Sequence, residues 1–548
     1  MNTRQRVFLI AALGAASLCG LSCVNIDENL GKNLISTDQT FDIYTAEIPL
    51  TDIDMEMADS LSGLSSKRIT LGAVRDATFG LTSRSCALTL VPASDKTFDL
   101  GENPVFRSMH FSVALDTVSV PSPSEQYILQ NIRVYELAEA VELSKARTNT
   151  DVAHKGELIT DGAIVFNGRD SLSFDFTRSF AERYLTIDAE TELDTMPHFT
   201  RRFPGIYLEV EEPVGNGGRI NLFDLSCLTY SSSYGGYYFN GNGARLRFTS
   251  TYDGVRKDTS LIFVAGEPWL VDEESYLEET QRFPQYAYNI TRHETRPASG
   301  RAEDRILVEG GGGLKPVIRS RGLYEAVRAE IGRHGDPSSA IINRAQIELP
   351  FDYDGDYEAL GTFFPATLSP TCRIITEGIG ASFAGLSDSS ASDEDQGTIH
   401  RDRLCYAPDI AHHLQELLRK GDEADFDRFD IWLLIMANET SVSENTSNLN
   451  SQYQQMAYYS YLNSLYNGYG YGGYGYGYGG YGYGGYGGYN SYYNYYNYMM
   501  MASMYNSSST TTTTSELDKD RYYKAVLRGP SAGGRVPTLS ITYAIPRG

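Results

Sequence analysis

Cys23 is the residue whose setting says most about chemistry. Arg4 and Arg6 precede an apolar run, Val7 to Leu21, that is too short to remain across a bilayer, and Gly20 and Ser22 stand just before the cysteine. Positive, apolar, small is the order of a cleaved export signal. A cysteine at the cut is what bacterial lipoprotein processing requires: its thiol takes a diacylglycerol and becomes the first mature residue. The spacing predicts a signal over residues 1–22, lipidation at Cys23 and a body held to a membrane by acyl chains. Cys19 competes less well, because bulky Leu18 precedes it. An ordinary signal cleaved here would leave an exposed free thiol, which is a liability.

Gly310 to Gly313 followed by Lys315 resembles a phosphate loop, but Pro316 stands where the motif needs Ser or Thr, so a tight turn is expected. Asp352, Asp354 and Asp356 alternate, yet Gly355 sits inside the triplet and no Glu follows at the EF-hand distance, so a solvated hairpin tip is expected. His412 and His413 are adjacent on a predicted helix and point apart, with His400 nearby, so neither a metal nor another cofactor is expected. No serine-hydrolase or metalloprotease motif is present, and no catalytic residue is assigned. Paired carboxylates for hydrolysis are spaced in three dimensions rather than in sequence. Ser60, Thr117, Ser171 and Thr195 each sit in an Asp-Ser/Thr-aliphatic triplet, which resembles an acceptor pattern for O-glycosylation of exported bacterial proteins.

The elements that must position these residues read as strands. Met109, Phe111, Val113 and Leu115 alternate with His110, Ser112 and Ala114, and Leu172, Phe174 and Phe176 repeat the period of two. Ile206 to Val210 leads through Gly215–Gly218 into Ile220 to Leu228, which reads as a strand, a turn and a return strand. Arg245 to Tyr252 and Thr259 to Ala265 form another alternating pair. Helices are expected at Ser179 to Leu185, at Leu323 to Ile331, and from Asp409 through Leu418 with Gly421 just past the end. The predicted fold class is mainly β: two β-sandwich-like, jelly-roll-like domains with a few short helices. The predicted order is a tether over 23–40, a first domain over 41–267, a charged linker over 268–302 and a second domain over 303–548. A low-complexity insertion occupies 440–516, almost pure Gly and Tyr from Tyr466 to Tyr489, and is expected to be disordered because ordering so much glycine costs too much entropy.

Composition narrows the partners. The chain has 548 residues and 41% hydrophobic content, enough for two cored domains. Lys plus Arg number 46 against 70 acids, a net charge of −24, which argues against nucleic acid and against charge-driven docking on anionic lipid. Once Cys19 leaves with the signal and Cys23 is acylated, four of the six cysteines remain: Cys86, Cys227, Cys372 and Cys405. They allow three connectivities, and Cys372 with Cys405 is the favoured bridge.

The order of several short motifs resembles a Bacteroidota outer-membrane lipoprotein family catalogued as domain of unknown function 4270. The motifs are Asn29 to Leu34, Leu71-Gly72 with Thr78 to Thr82, Asn103-Pro104-Val105, Val134 to Leu137, Phe203 to Tyr207, Gly310 to Leu314 and Asn343 to Leu349. The resemblance implies a lipid-anchored β-sandwich protein at the outer membrane, with no catalytic residues to carry over and a link to outer-membrane protein assembly. Asp27 and Glu28 behind the lipid resemble the signal that sends such lipoproteins to the cell surface. The expected function is therefore a non-catalytic scaffold or binding subunit of an envelope complex, with outer-membrane proteins as partners. Two alternatives stand beside it: a surface glycan-binding lipoprotein, and a hydrolase with a spatially assembled carboxylate site.

Overall fold

Alternating apolar and polar residues become strands wherever one face can be buried. A computed structural model describes residues 41–58, 61–93, 98–119, 123–142, 147–231, 236–266, 286–294, 300–353, 355, 357–376, 380–386, 388, 397–443 and 510–547. The chain is mainly β, with several sheets and a few short helices. The signal, the tether and most of the Gly/Tyr segment lie outside the described residues.

One long strand, Glu102–Ser119, organises the first body. Its first part pairs with Gly243–Tyr252 on one side and Ser171–Asp175 on the other, and its last part pairs with Gly217–Asp224. Met109, Phe111 and Val113 turn inward and join Ile132, Val134, Ile206, Leu208, Leu246 and Phe248 in a single hydrophobic cluster. Gly243–Tyr252 and Val255–Ala265 form the hairpin that alternation predicts. Its turn residues Asp253 and Gly254 both have positive φ, 51° and 74°, as a two-residue turn that follows strand twist requires.

The hairpin predicted across Gly215–Gly218 does not form. Ile206–Val210 lies between Gln130–Leu137 and Gly80–Leu88, whereas Gly217–Asp224 lies between Arg68–Asp76 and the Glu102 strand. Both strands are buried on nearly every residue, so each needs neighbours on two edges, and distant strands supply them.

The chain is also divided differently from the predicted boundaries. Phe41–Pro49 pairs along its whole length with Thr538–Pro546, and Ile53–Met57 pairs with Leu314–Ile318. Ile48, Leu50, Ile53 and Met55 enter a cluster with Ile306, Val308, Ile347, Leu349, Leu539 and Ile541. Residues 41–57 thus belong to the second body. Conversely, Ala287–His293, inside the segment expected to be a linker, is a strand paired with Gly80–Leu88 in the first body, with Ala287, Tyr288 and Ile290 buried.

In the second body two helices cover the sheets. Ser320–Ile331 buries Leu323, Tyr324, Val327 and Ile331 at helical spacing. Ala411–Lys420 buries Leu414, Leu417 and Leu418; Asp409 accepts its first backbone N–H, from Ala411, and the Asp388 carboxylate accepts the next two, from His412 and His413. Ile431–Ser443 pairs with Thr510–Leu517, bringing the two flanks of the low-complexity segment together.

Ile53 is fully buried in the second core although it sits near the start of the described chain. Ile53→Ala is expected to cost about 2–5 kcal/mol of unfolding free energy, read by urea denaturation. A loss below about 0.5 kcal/mol would show that residues 41–57 are not part of that core.

Candidate functional site

Two polar constellations stand out, one buried between the bodies and one open to solvent. The buried one starts from strand Gly80–Leu88, whose polar phase carries Thr82 and Arg84, beside Thr291 and His293 of strand Ala287–His293. Against them lie Glu309, the Gly310–Gly313 turn and Lys315 of the second body. Glu309 Oε1 accepts from Thr82 Oγ1 at 2.8 Å and meets His293 Nδ1 at 2.7 Å. Arg84 donates to Thr291 Oγ1 at 2.5 Å and to the Lys519 carbonyl at 2.7 Å. Lys519 donates in turn to the carbonyls of Ser62 and Leu64, and Lys524 pairs with Asp76.

Lys315 answers the phosphate-loop resemblance. Its ammonium donates to the carbonyls of Glu309, Gly311 and Gly313, the last two at 3.0 Å, so the lysine closes its own turn. Gly311 has φ +60°, and a Cβ there would stand 2.5 Å from Arg84 Nη2. The turn therefore needs glycine for both backbone and space. Burial pulls Lys315 down to about 7, with Glu309 opposing and Arg84 adding to the fall. Burial likewise lowers Arg84 and raises Asp520. Burial alone would raise Glu309, but His293, Thr82 and Lys315 together hold it below its usual range.

The open constellation lies on the solvent face of the first body. His110 sits directly opposite Asp175 on one neighbouring strand and Arg245 on the other. His110 Nδ1 meets Asp175 Oδ1 at 2.9 Å. Ser108 and Ser112 flank His110 on the same face, and Arg247 follows Arg245 on its strand. With Phe239, Gly241 and Ile262 they line a groove of about 370 Å³. Beneath it, Phe111 stacks on Phe174 with ring centroids 5.0 Å apart, which ties the strands of the groove to the core. Asn242 fixes its rim: the side chain accepts from Ala114 N–H and donates to the carbonyls of Asp224 and Ser226.

No hydrogen bond joins the Ser108 or Ser112 hydroxyl to the His–Asp pair among the described residues. Both serines stand two residues from His110 along one strand, a backbone spacing of about 7 Å. Among the described residues Asp175 is the one carboxylate lining the groove.

The remaining predicted site residues scatter. Cys23 and Ser60 lie outside the described residues. Thr117, Ser171 and Thr195 are exposed, on a strand, at a strand start and before a short helix respectively. The Cys372–Cys405 bridge does not form: all four described cysteines are free and buried. Cys372 belongs to the sheet of Ile431–Ser443 and Cys405 to that of Ile341–Pro350, so the strands that carry them are not neighbours. Burial pushes Cys372 up to about 12. His413 is buried, bonded to the Phe429 carbonyl and lowered to about 4, and Asp352 pairs with Arg305. Asp354 and Asp356 lie outside the described residues. Among the described residues no three His, Cys, Asp or Glu side chains gather as a metal site.

Sequence reasoning had the groove's signal in hand without assigning it, because Ser108, His110 and Ser112 are the polar phase of the Met109 strand. What alternation could not supply was the neighbouring strand that brings Asp175 and Arg245 alongside. No protein-family model, curated protein or solved structure matches the chain.

Between about pH 7 and the free-lysine value of 10.5, the unfolded chain holds a proton on Lys315 that the folded chain has shed. Stability due to this group therefore rises with pH through that interval. In urea melts from pH 6 to 10, wild type is expected to gain stability relative to Lys315→Met as pH rises; parallel curves would remove the burial-shifted ammonium.

Proposed function

We propose that this chain is a lipid-anchored, non-catalytic binding subunit of the bacterial outer membrane, acting within an envelope complex. The observation that carries the binding role is the groove on the outer face of the first sheet, which gathers hydroxyl, imidazole and guanidinium groups on adjacent strands. Sites built on strands are held by the core beneath them, which suits recognition. The anchoring part rests on the sequence around Cys23, and a segment of about 18 residues would separate the lipid from the strand that begins at Phe41. The order of motifs shared with the Bacteroidota lipoprotein family supports the location, and that likeness rests on motif order alone. A surface glycan-binding role is the second reading, and the groove favours it over hydrolysis because hydroxyl and guanidinium donors face solvent there.

Mass spectrometry of the native protein is expected to show an acylated Cys23 as the first residue. Cys23→Ala should move the chain from the membrane fraction to the soluble fraction. An unacylated wild-type N-terminus would overturn the anchored reading.

A further inference from the structure

The groove carries a charge opposite to that of the chain, and this points to its ligand. We propose that it binds an acidic sugar unit, a uronic-acid residue of an oligosaccharide, with Arg245 and Arg247 on the carboxylate and Ser108, Ser112 and His110 on the hydroxyls. The proposal rests on the reading of the chain as a binding subunit and names the ligand class of that surface.

Charge comes first. In a chain of net −24, two arginines line this groove against one carboxylate. That carboxylate, Asp175, is already engaged by His110. Arg245 touches only the Ser260 hydroxyl, at 3.4 Å, and Arg247 has no hydrogen-bond or ionic partner among the described residues. Side chains two apart on a strand share one face about 7 Å apart, a spacing that lets two guanidinium groups converge on one carboxylate. Both are exposed guanidinium groups that no acid answers among the described residues, and a guanidinium's planar fork matches a carboxylate bidentately.

The rest of the lining selects a sugar over a bare anion. The Ser108 and Ser112 hydroxyls also have no partner among the described residues, so they remain free to exchange hydrogen bonds with ligand hydroxyls. Asp175 on Nδ1 leaves Nε2 as the ring nitrogen His110 offers outward. Ile262 and Phe239 supply apolar surface for the CH face of a pyranose. A volume of about 370 Å³ lies within the range of small-ligand sites and suits one or two rings of a longer chain. Gly241 leaves the rim low: a Cβ there would meet nothing within 4 Å, so the oligosaccharide can continue past it.

The test is calorimetric titration of the full-length chain in detergent with trigalacturonate, neutral galactotriose and inorganic sulfate. Trigalacturonate is expected to bind, at least tenfold more tightly than galactotriose, and to weaken about tenfold in Arg245→Gln and in Arg247→Gln and further with added salt. Arg247→Gln should leave the melting temperature unchanged, since Arg247 has no described partner to lose. Equal binding of the two trisaccharides would remove the acid from the ligand. Sulfate binding as tightly as trigalacturonate would reduce the groove to a free-anion site. Binding untouched by either substitution would place the sugar elsewhere, and silence from all three probes would end the proposal. A parallel pull-down from native membranes separates the two readings. A complex recovered with the Arg245→Gln/Arg247→Gln chain while trigalacturonate fails to bind rejects the sugar and keeps the binding subunit. Wild-type chain recovered alone rejects the binding subunit itself.

Discussion

Charges withdrawn from water must be answered inside the protein, and the seam between the two bodies is where this chain meets that constraint. Arg84, Glu309 and Lys315 are taken out of solvent there, with Asp520 half-buried beside them. An ion pair or network of this kind contributes little net stability, but removing one member strands the others at a cost of several kcal/mol. Its value is in register. The Gly310–Gly313 turn can sit against strand Gly80–Leu88 in one way only, because Arg84 fills the space beside Gly311 and Lys315 ties the turn's carbonyls.

The groove is linked to that seam through the sheet itself. Strand Gly80–Leu88 carries the buried charges; Arg68–Asp76 lies beside it, Gly217–Asp224 beside that, and Glu102–Ser119, with His110, comes next. Four consecutive strands therefore connect the contact between bodies to the solvent face. Polar residues occupy both ends of this path. At the seam they bond largely to one another, with Arg84 Nε and Nη2 and His293 Nε2 left over, and at the groove the Arg247, Ser108 and Ser112 side chains have no partner among the described residues.

How much of this could be read from the chain depended on distance along it. Periodicity identified the inward phase of Met109, Phe111 and Val113, and the two covering helices fall where apolar spacing and Gly421 indicate. Alternation tells which face of a strand is buried and is silent on which strand lies beside it. Hence the pairing of Phe41 with Pro546 and the separation of Ile206–Val210 from Gly217–Asp224 were not legible. The same silence misassigned the cysteines, since Cys372 and Cys405 look alike in sequence but sit in different sheets. Residues 287–293 were overlooked because charged neighbours on both sides dilute a short apolar strand.

The closure of the first strand by the last has a temporal consequence. A ribosome delivers Phe41–Pro49 early and Thr538–Pro546 only when synthesis is nearly done, so the second body cannot complete its edge while the chain is still being made. The first body faces no such wait, since the strands it needs are all present once His293 has emerged. Assembly is thus ordered by topology alone, with the first body mature before the second can lock.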